Sequence, residues 1–157
     1  MIRFYHFALS LLFAIIIIHP ATSQEEPNEA CFEPDKKTMK VLAQAESDKN
    51  DKMERRKLYD QAIEMAPGNS YVYYSYAMFN WVHAEGVQEN FDNGRANYAQ
   101  LKSAYEGAAK TFKEVIFYCP EFNAEVYYKL GFISYMLDDK ASAAKYFKSF
   151  LAFKSDD

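Results

Sequence analysis

Apolar residues follow several rhythms along this chain. Residues 7–18 (FALSLLFAIIII) are apolar almost without a break, and residues 24–34 (QEEPNEACFEP) are mostly polar, with two prolines. Apolar positions then return at helical spacing. Met39, Leu42 and Ala43 precede a polar turn at 47–51 (SDKND), and Leu58, Tyr59, Ala62, Ile63 and Met65 precede Pro67 and Gly68. Asp35 is placed to cap the first of these helices, the second is expected over about 52–65, and Pro67-Gly68 should stop it. The next stretch occurs twice. SYVYYSYAMFNW at 70–81 aligns with AEVYYKLGFISY at 124–135, so that Tyr73-Tyr74 meets Tyr127-Tyr128, Ala77 meets Gly131 and Trp81 meets Tyr135. Pro67 and Pro120 lie shortly before the two copies. A helix repeated in this way, bounded by proline, predicts a stacked all-α repeat scaffold.

The units differ in length. In the second, Ser70 is the expected N-cap and the first helix should run to about Ala84. Residues 85–103 read as an insertion broken at Gly86 and Asn93-Gly94. Tyr98, Leu101, Tyr105, Ala108 and Phe112 then keep helical spacing. The second helix should therefore start near Gly94 and be roughly three turns too long. In the third unit Asp138-Asp139 makes the turn, and a final helix carries Ala143, Phe147 and Phe150.

These spacings resemble the tetratricopeptide repeat, whose first helix carries Trp-x2-Leu-Gly-x2-Tyr and whose second carries Ala-x3-Phe-x2-Ala with a proline five residues on. Met39, Leu42, Ala43, Tyr59, Ala62 and Pro67 occupy those slots in the first unit, where Arg55 replaces the first alanine. Tyr73, Tyr76, Ala77, Ala108, Phe112, Val115 and Pro120 occupy them in the second, and Tyr127, Leu130, Gly131, Ala143, Phe147 and Phe150 in the third. The resemblance implies a right-handed superhelix of three helical hairpins at 36–69, 70–123 and 124–153, the second enlarged by its insert. It also implies that Ala43, Ala77 and Gly131 sit where paired helices cross closely, with no room for a bulkier side chain. In this family the first helices line a concave face. Here that places Lys37, Lys40, Val41, Gln44 and Asp48 at a polar end. Tyr71, Tyr74, Ser75, Met78 and Trp81, then Glu125, Tyr128, Lys129, Phe132, Tyr135 and Met136, form an aromatic, methionine-rich remainder. Of these, Tyr71, Tyr74, Met78, Trp81, Tyr128, Phe132, Tyr135 and Met136 are the candidate partner-binding residues. The other reading is that the lengthened helix or the insert covers them. Cochaperone members of the family grip a peptide carboxylate with lysines and asparagines. Lys40 and Lys129 match that clamp, but Gln44, Ser75 and Glu125 do not, and Glu125 would repel the carboxylate.

Composition narrows the function. The chain has 157 residues, is 50% hydrophobic with 13 Tyr and 13 Phe, and carries a formal charge of −4. That is too apolar for a disordered chain, and too acidic, with no basic cluster, for a nucleic-acid partner. Arg3, the apolar run and Ala21-Thr22-Ser23 read as a signal peptide over 1–23, cleaved rather than kept as an anchor because the run is short for a membrane span. Residues 24–35 then form an extended arm without a core, 36–153 the repeat domain and 154–157 a frayed tail. Export is expected, to a periplasm or cell envelope or into the medium. The segment beginning CFEPDKKTMK also resembles the tetratricopeptide segment of bacterial cell-envelope proteins, in which it precedes a propeller and an OmpA-like peptidoglycan-binding domain and serves secretion or gliding machinery.

Cys31 and Cys119 are the two cysteines. In an exported chain an even count suggests a bridge. The start of the first helix and the end of the fourth share an edge that a few extended residues can span. The alternative is two unpaired thiols, with Cys119 a small core residue. Phe150, Leu151 and Phe153 leave an apolar final helix. Either it mediates homo-oligomerisation, or the stems of Lys145, Lys148 and Lys154 shield it. No catalytic motif, metal-ligand spacing or phosphate-binding glycine loop occurs, and His83 beside Glu85 is the nearest thing to a catalytic pair. A non-enzymatic module that binds another protein is expected, with no cofactor, metal, nucleic acid or small-molecule substrate. A self-assembling structural subunit is the alternative.

Overall fold

The computed structural model describes residues 28–155. The expected signal peptide over 1–23, residues 24–27 of the expected arm and residues 156–157 lie outside the described residues. The described chain is all-helical: α1 Lys36–Glu46, α2 Lys52–Met65, α3 Ser70–Asp92, α4 Tyr98–Tyr118, α5 Ala124–Met136 and α6 Lys140–Ser155, preceded by a 3-10 turn at Glu29–Cys31.

Side-chain caps set most of the helix starts. Asp35 accepts from Lys37 N at 2.7 Å and Thr38 N at 3.0 Å, as expected. Asp51 accepts from Met53 N and Glu54 N ahead of α2. Asn97 and Gln100 form a reciprocal capping box at α4, which satisfies two otherwise orphaned backbone donors. The cap of α3 is Asn69 rather than Ser70, with Asn69 Oδ1 accepting from Val72 N at 3.2 Å. Ser70 is instead the first helical residue, fully buried, and its hydroxyl donates to the Val115 carbonyl of α4 at 3.0 Å.

The insert does not break at Gly86. α3 continues through it to Asp92, and α4 begins at Tyr98. Both helices of the second unit are therefore lengthened, rather than the second alone. A mid-helix glycine costs about 1 kcal/mol relative to alanine. Here the extended turns recover burial through Val87 and Phe91, which pack against a core that includes Leu101 and Tyr105 of α4. The break falls at Gly94, whose φ of 69° is in the left-handed region that favours glycine.

Consecutive helices pack most extensively in pairs, α3 on α4, α5 on α6 and α1 on α2. The α4–α5 contact is smaller, and those of α1 and α2 with α3 are smaller still. Two cores result. One joins Leu42, Ala45, Tyr59 and Ala62 to Val72 of α3. The other runs through Ala77, Trp81, Tyr105, Phe112, Val126 and Leu130.

The small-residue slots are unequal. Ala77 is fully buried. A Cβ on Gly131 would lie 2.7 Å from Phe147 Cδ1, so α5 and α6 meet closely there. Ala43, by contrast, is exposed, and Thr38, Leu42 and Ala45 are the buried positions of α1. Arg55 stands where the pattern has alanine, donates through Nε to the Ala45 carbonyl at 2.7 Å, and lies 4.8 Å from the Phe79 ring centroid. The fully buried small residues of the α1–α2 contact are Ala45 and Ala62 instead.

Cys31 and Cys119 form a disulfide, with Cα atoms 5.3 Å apart. The described part of the arm is not free of structure. Its turn is tied to the end of α4 by Asn28 Nδ2 donating to the Tyr118 carbonyl at 2.9 Å, and to the start of α3 by Asn69 Nδ2 donating to the Phe32 carbonyl at 3.0 Å. At the other end, Lys154 and Ser155 belong to α6 rather than to a tail.

Candidate functional site

The candidate residues lie on α3 and α5, and the side chains of Tyr74, Trp81 and Phe132 take part in contacts between those helices. Tyr74 donates its hydroxyl to Glu125 Oε2 at 2.9 Å. Glu125 Oε1 pairs with Lys129 Nζ at 3.2 Å. The same ammonium stands 4.3 Å from the Trp81 ring centroid, a cation–π contact. Trp81 meets Phe132 edge-on at 5.6 Å and Tyr105 of α4 at 6.0 Å. Phe122, in the connection before α5, packs on Tyr74 at 5.4 Å and Tyr71 at 6.4 Å. A polar chain and an aromatic chain thus run together along the α3–α5 seam.

Partial burial, the hydrogen bond to Glu125 and that carboxylate's charge push the Tyr74 phenol up to about 12. It is a fixed donor at any physiological pH. Lys129 is spoken for as well. Its side chain is 13% exposed and already neutralised by Glu125. The geometry leaves no free ammonium at this position for a peptide carboxylate.

Exposure divides the candidates. Trp81 is 7% exposed and belongs to the core between α3, α4 and α5, so it does not face outward. Its expected place on an open groove is corrected by Tyr105, Phe132 and Lys129, which cover the indole. Met78, Phe132 and Met136 are half-buried against the same core, as is Tyr74. Tyr71 is half-buried against the α1–α2 core. Tyr128 and Tyr135, two turns apart on α5, are 44% and 64% exposed. Tyr128 packs on Phe147 at 6.0 Å and on Phe150 at 5.5 Å, and Tyr135 is open. Leu151 of α6 is 64% exposed, whereas Phe153 packs on Tyr127 at 5.6 Å. Lys37, Lys40, Gln44 and Asp48 at the α1 end are exposed and polar.

His83 does not pair with Glu85. Its ring nitrogens lie 2.9–3.0 Å from Lys52 Nζ, and burial, then Lys52 and Arg56, hold the imidazole below its usual pKa of 6.5. Cys31, Cys119 and Glu121 bring two sulfurs and a carboxylate within 4.8 Å of one another. The disulfide occupies both sulfurs, so they are not the thiolates a metal would need.

Several of these partners escape spacing arguments. The link from Tyr74 to Glu125 joins residues 51 apart in sequence, and only the relative rotation of two helices creates it. Asn69 could have been recognised, because asparagine directly before an apolar helix is an N-cap signal. The chain finds no significant match among protein-family models, curated proteins or solved structures.

Proposed function

We propose that this protein is an exported, non-enzymatic scaffold that binds another protein through the aromatic face of α5. In this reading its paired helices form a right-handed superhelix of tetratricopeptide type. Its setting is a bacterial envelope assembly, of the secretion or motility kind. The observation that carries the reading is the exposure of Tyr128 and Tyr135 on one face of α5, beside half-buried Phe132 and Met136. Aromatics held on a rigid helix with their polar tips available are favoured anchors at protein interfaces. The disulfide supports an oxidising compartment. No helix among the described residues is long and apolar enough to cross a membrane.

The test is photocrosslinking in the native envelope. A photoreactive residue at Tyr135 should capture a defined partner, and one at Lys40, on the polar end, should not. Equal capture at both positions, or none at Tyr135, rules the reading out. Tyr128→Ser with Tyr135→Ser should remove the partner and leave the helical signal unchanged. Trp81 is unsuitable for this purpose, because its removal would hollow the core. The alternative, self-assembly through Phe150, Leu151 and Phe153, is favoured by the exposure of Leu151 on α6, the helix whose Phe150 packs on Tyr128. A mass that rises with concentration in light scattering, and falls back with Leu151→Asp, would select it.

A further inference from the structure

A furrow of about 610 Å³ lies between α2 and α4, floored by α3 and lined in part by Arg56, Asn80, His83, Asn97, Gln100 and Ser103. None of its residues comes from α5 or α6, so it is separate from the aromatic face. Gly107 keeps one wall open, since nothing lies within 4 Å of where its Cβ would be. No carboxylate lines it. Asn97 and Gln100 spend their carbonyl oxygens on the α4 capping box, which leaves their amide NH2 groups as donors. Asn80 gives its own amide nitrogen to Thr111 and supplies an acceptor.

The cations here are unbalanced. Lys52 and Arg56 stand one turn apart on α2, and among the described residues neither forms an ion pair. Lys52 Nζ is instead 2.9 Å from His83 Nε2. Repulsion from Arg56 adds to burial in lowering the pKa of Lys52. Like charges one turn apart repel, and an anion between them relieves that repulsion.

We propose that the rim of this furrow at His83, where Lys52 reaches the ring from an adjoining hollow, binds a phosphoryl-class anion, held by the guanidinium of Arg56, the ammonium of Lys52 and the imidazole of His83. A phosphate monoester has three terminal oxygens, one for each of these donors; a diester has two, as a carboxylate does, but carries them on a tetrahedral centre. Arginine binds such oxygens as a planar fork and lysine as a point charge. The anion would relieve the repulsion within the cluster and favour the imidazolium. The anion has two sources, a soluble phosphate ester or the headgroup of a lipid.

The experiment is an NMR titration of the full chain, following the His83 ring signals assigned with His83→Gln. The probes are inorganic phosphate, glycerol 3-phosphate and glycerophosphoglycerol, a soluble diester with headgroup chemistry. Acetate at matched pH and ionic strength is the control. A saturable shift with the phosphates, an upward move of the ring's titration midpoint, and binding at least roughly tenfold weaker in Arg56→Gln would bear the proposal out. Tighter binding of the monoester assigns a soluble ester, and tighter binding of the diester assigns a headgroup. No saturable shift, an equal response to acetate, or no effect of Arg56→Gln would overturn it. The melting temperature of Arg56→Gln, expected to match the parent, separates lost binding from lost folding.

Discussion

The α1–α2 pair and the α5–α6 pair carry the same spacing of apolar positions and are built differently. In α5–α6 the small slot is a tight contact, with Gly131 against Phe147. In α1–α2 the corresponding Ala43 faces outward, the fully buried small residues are Ala45 and Ala62, and Arg55 donates to the Ala45 carbonyl. The pairs also join the middle of the molecule differently. α5 packs on α4 over a larger interface than α1 or α2 makes with α3, and the N-terminal pair is entered through an arm locked by the disulfide. The difference teaches that a repeat pattern fixes which faces turn inward, and that the residues at the crossing decide how closely the helices approach.

The sharpest test of this contrast is to cut the covalent tie. In the chain-entropy picture a bridge spanning 88 residues contributes about 4.6 kcal/mol. The double variant Cys31→Ala, Cys119→Ala should lose stability of that order in chemical unfolding. Hydrogen exchange should show the loss first in α1 and α2, with α5 and α6 last to open. Uniform loss of protection across the molecule would erase the distinction between the two pairs.

A smaller effect separates the two slots directly. Gly131→Val must displace Phe147 and should destabilise by roughly 1–3 kcal/mol, even though valine is the better helix former. Ala43→Val, at the slot that looks equivalent in sequence, should cost only valine's poorer helix propensity, about 0.5 kcal/mol. Equal losses in thermal or denaturant melts would mean that the α1–α2 crossing is as close as the other.

This pair of variants also marks where sequence reasoning succeeds and where it stops. Helices bounded by Asp35, Pro67 and Asp138-Asp139 were legible because capping, proline and turn chemistry are local. The Cys31–Cys119 bond was legible because alternation of helix ends puts both cysteines at one edge. Gly86 misled because glycine's cost is local while the burial of Val87 and Phe91 that offsets it is not. Ala43 misled for a related reason: slot identity says nothing of the Arg55 guanidinium reaching Ala45 from the next helix. The aromatic row of Tyr74, Trp81, Phe132 and Tyr128 along α3 and α5 was legible in the spacing. Which of its members are covered was not, because Trp81 is buried by residues from two other helices.

The smallest effect concerns the seams that join each pair to α3. The N-terminal seam is a ring contact, with Tyr59 stacked on Tyr76 at 5.0 Å. The C-terminal seam contains the hydrogen bond from Tyr74 to Glu125, which makes it sensitive to alkali. In the unfolded chain Tyr74 loses its proton near its ordinary value of 10.0, and in the folded protein only near about 12. Between these values the unfolded state binds fewer protons, so stability falls as pH rises. The contribution is complete below pH 10 and disappears toward pH 12. Tyr59, Tyr73, Tyr105, Tyr127 and Tyr146 are raised too, mainly by burial, and add to the same slope. Tyr74→Phe isolates one share of it: the alkaline loss of stability should become shallower, with little change at neutral pH. Glu125→Gln should lower the Tyr74 titration, read from its labelled ring carbon, without returning it to 10.0, because burial is the largest cause and remains. A return to the free value would mean that α3 and α5 had separated, and that the carboxylate rather than the aromatic packing holds this seam together.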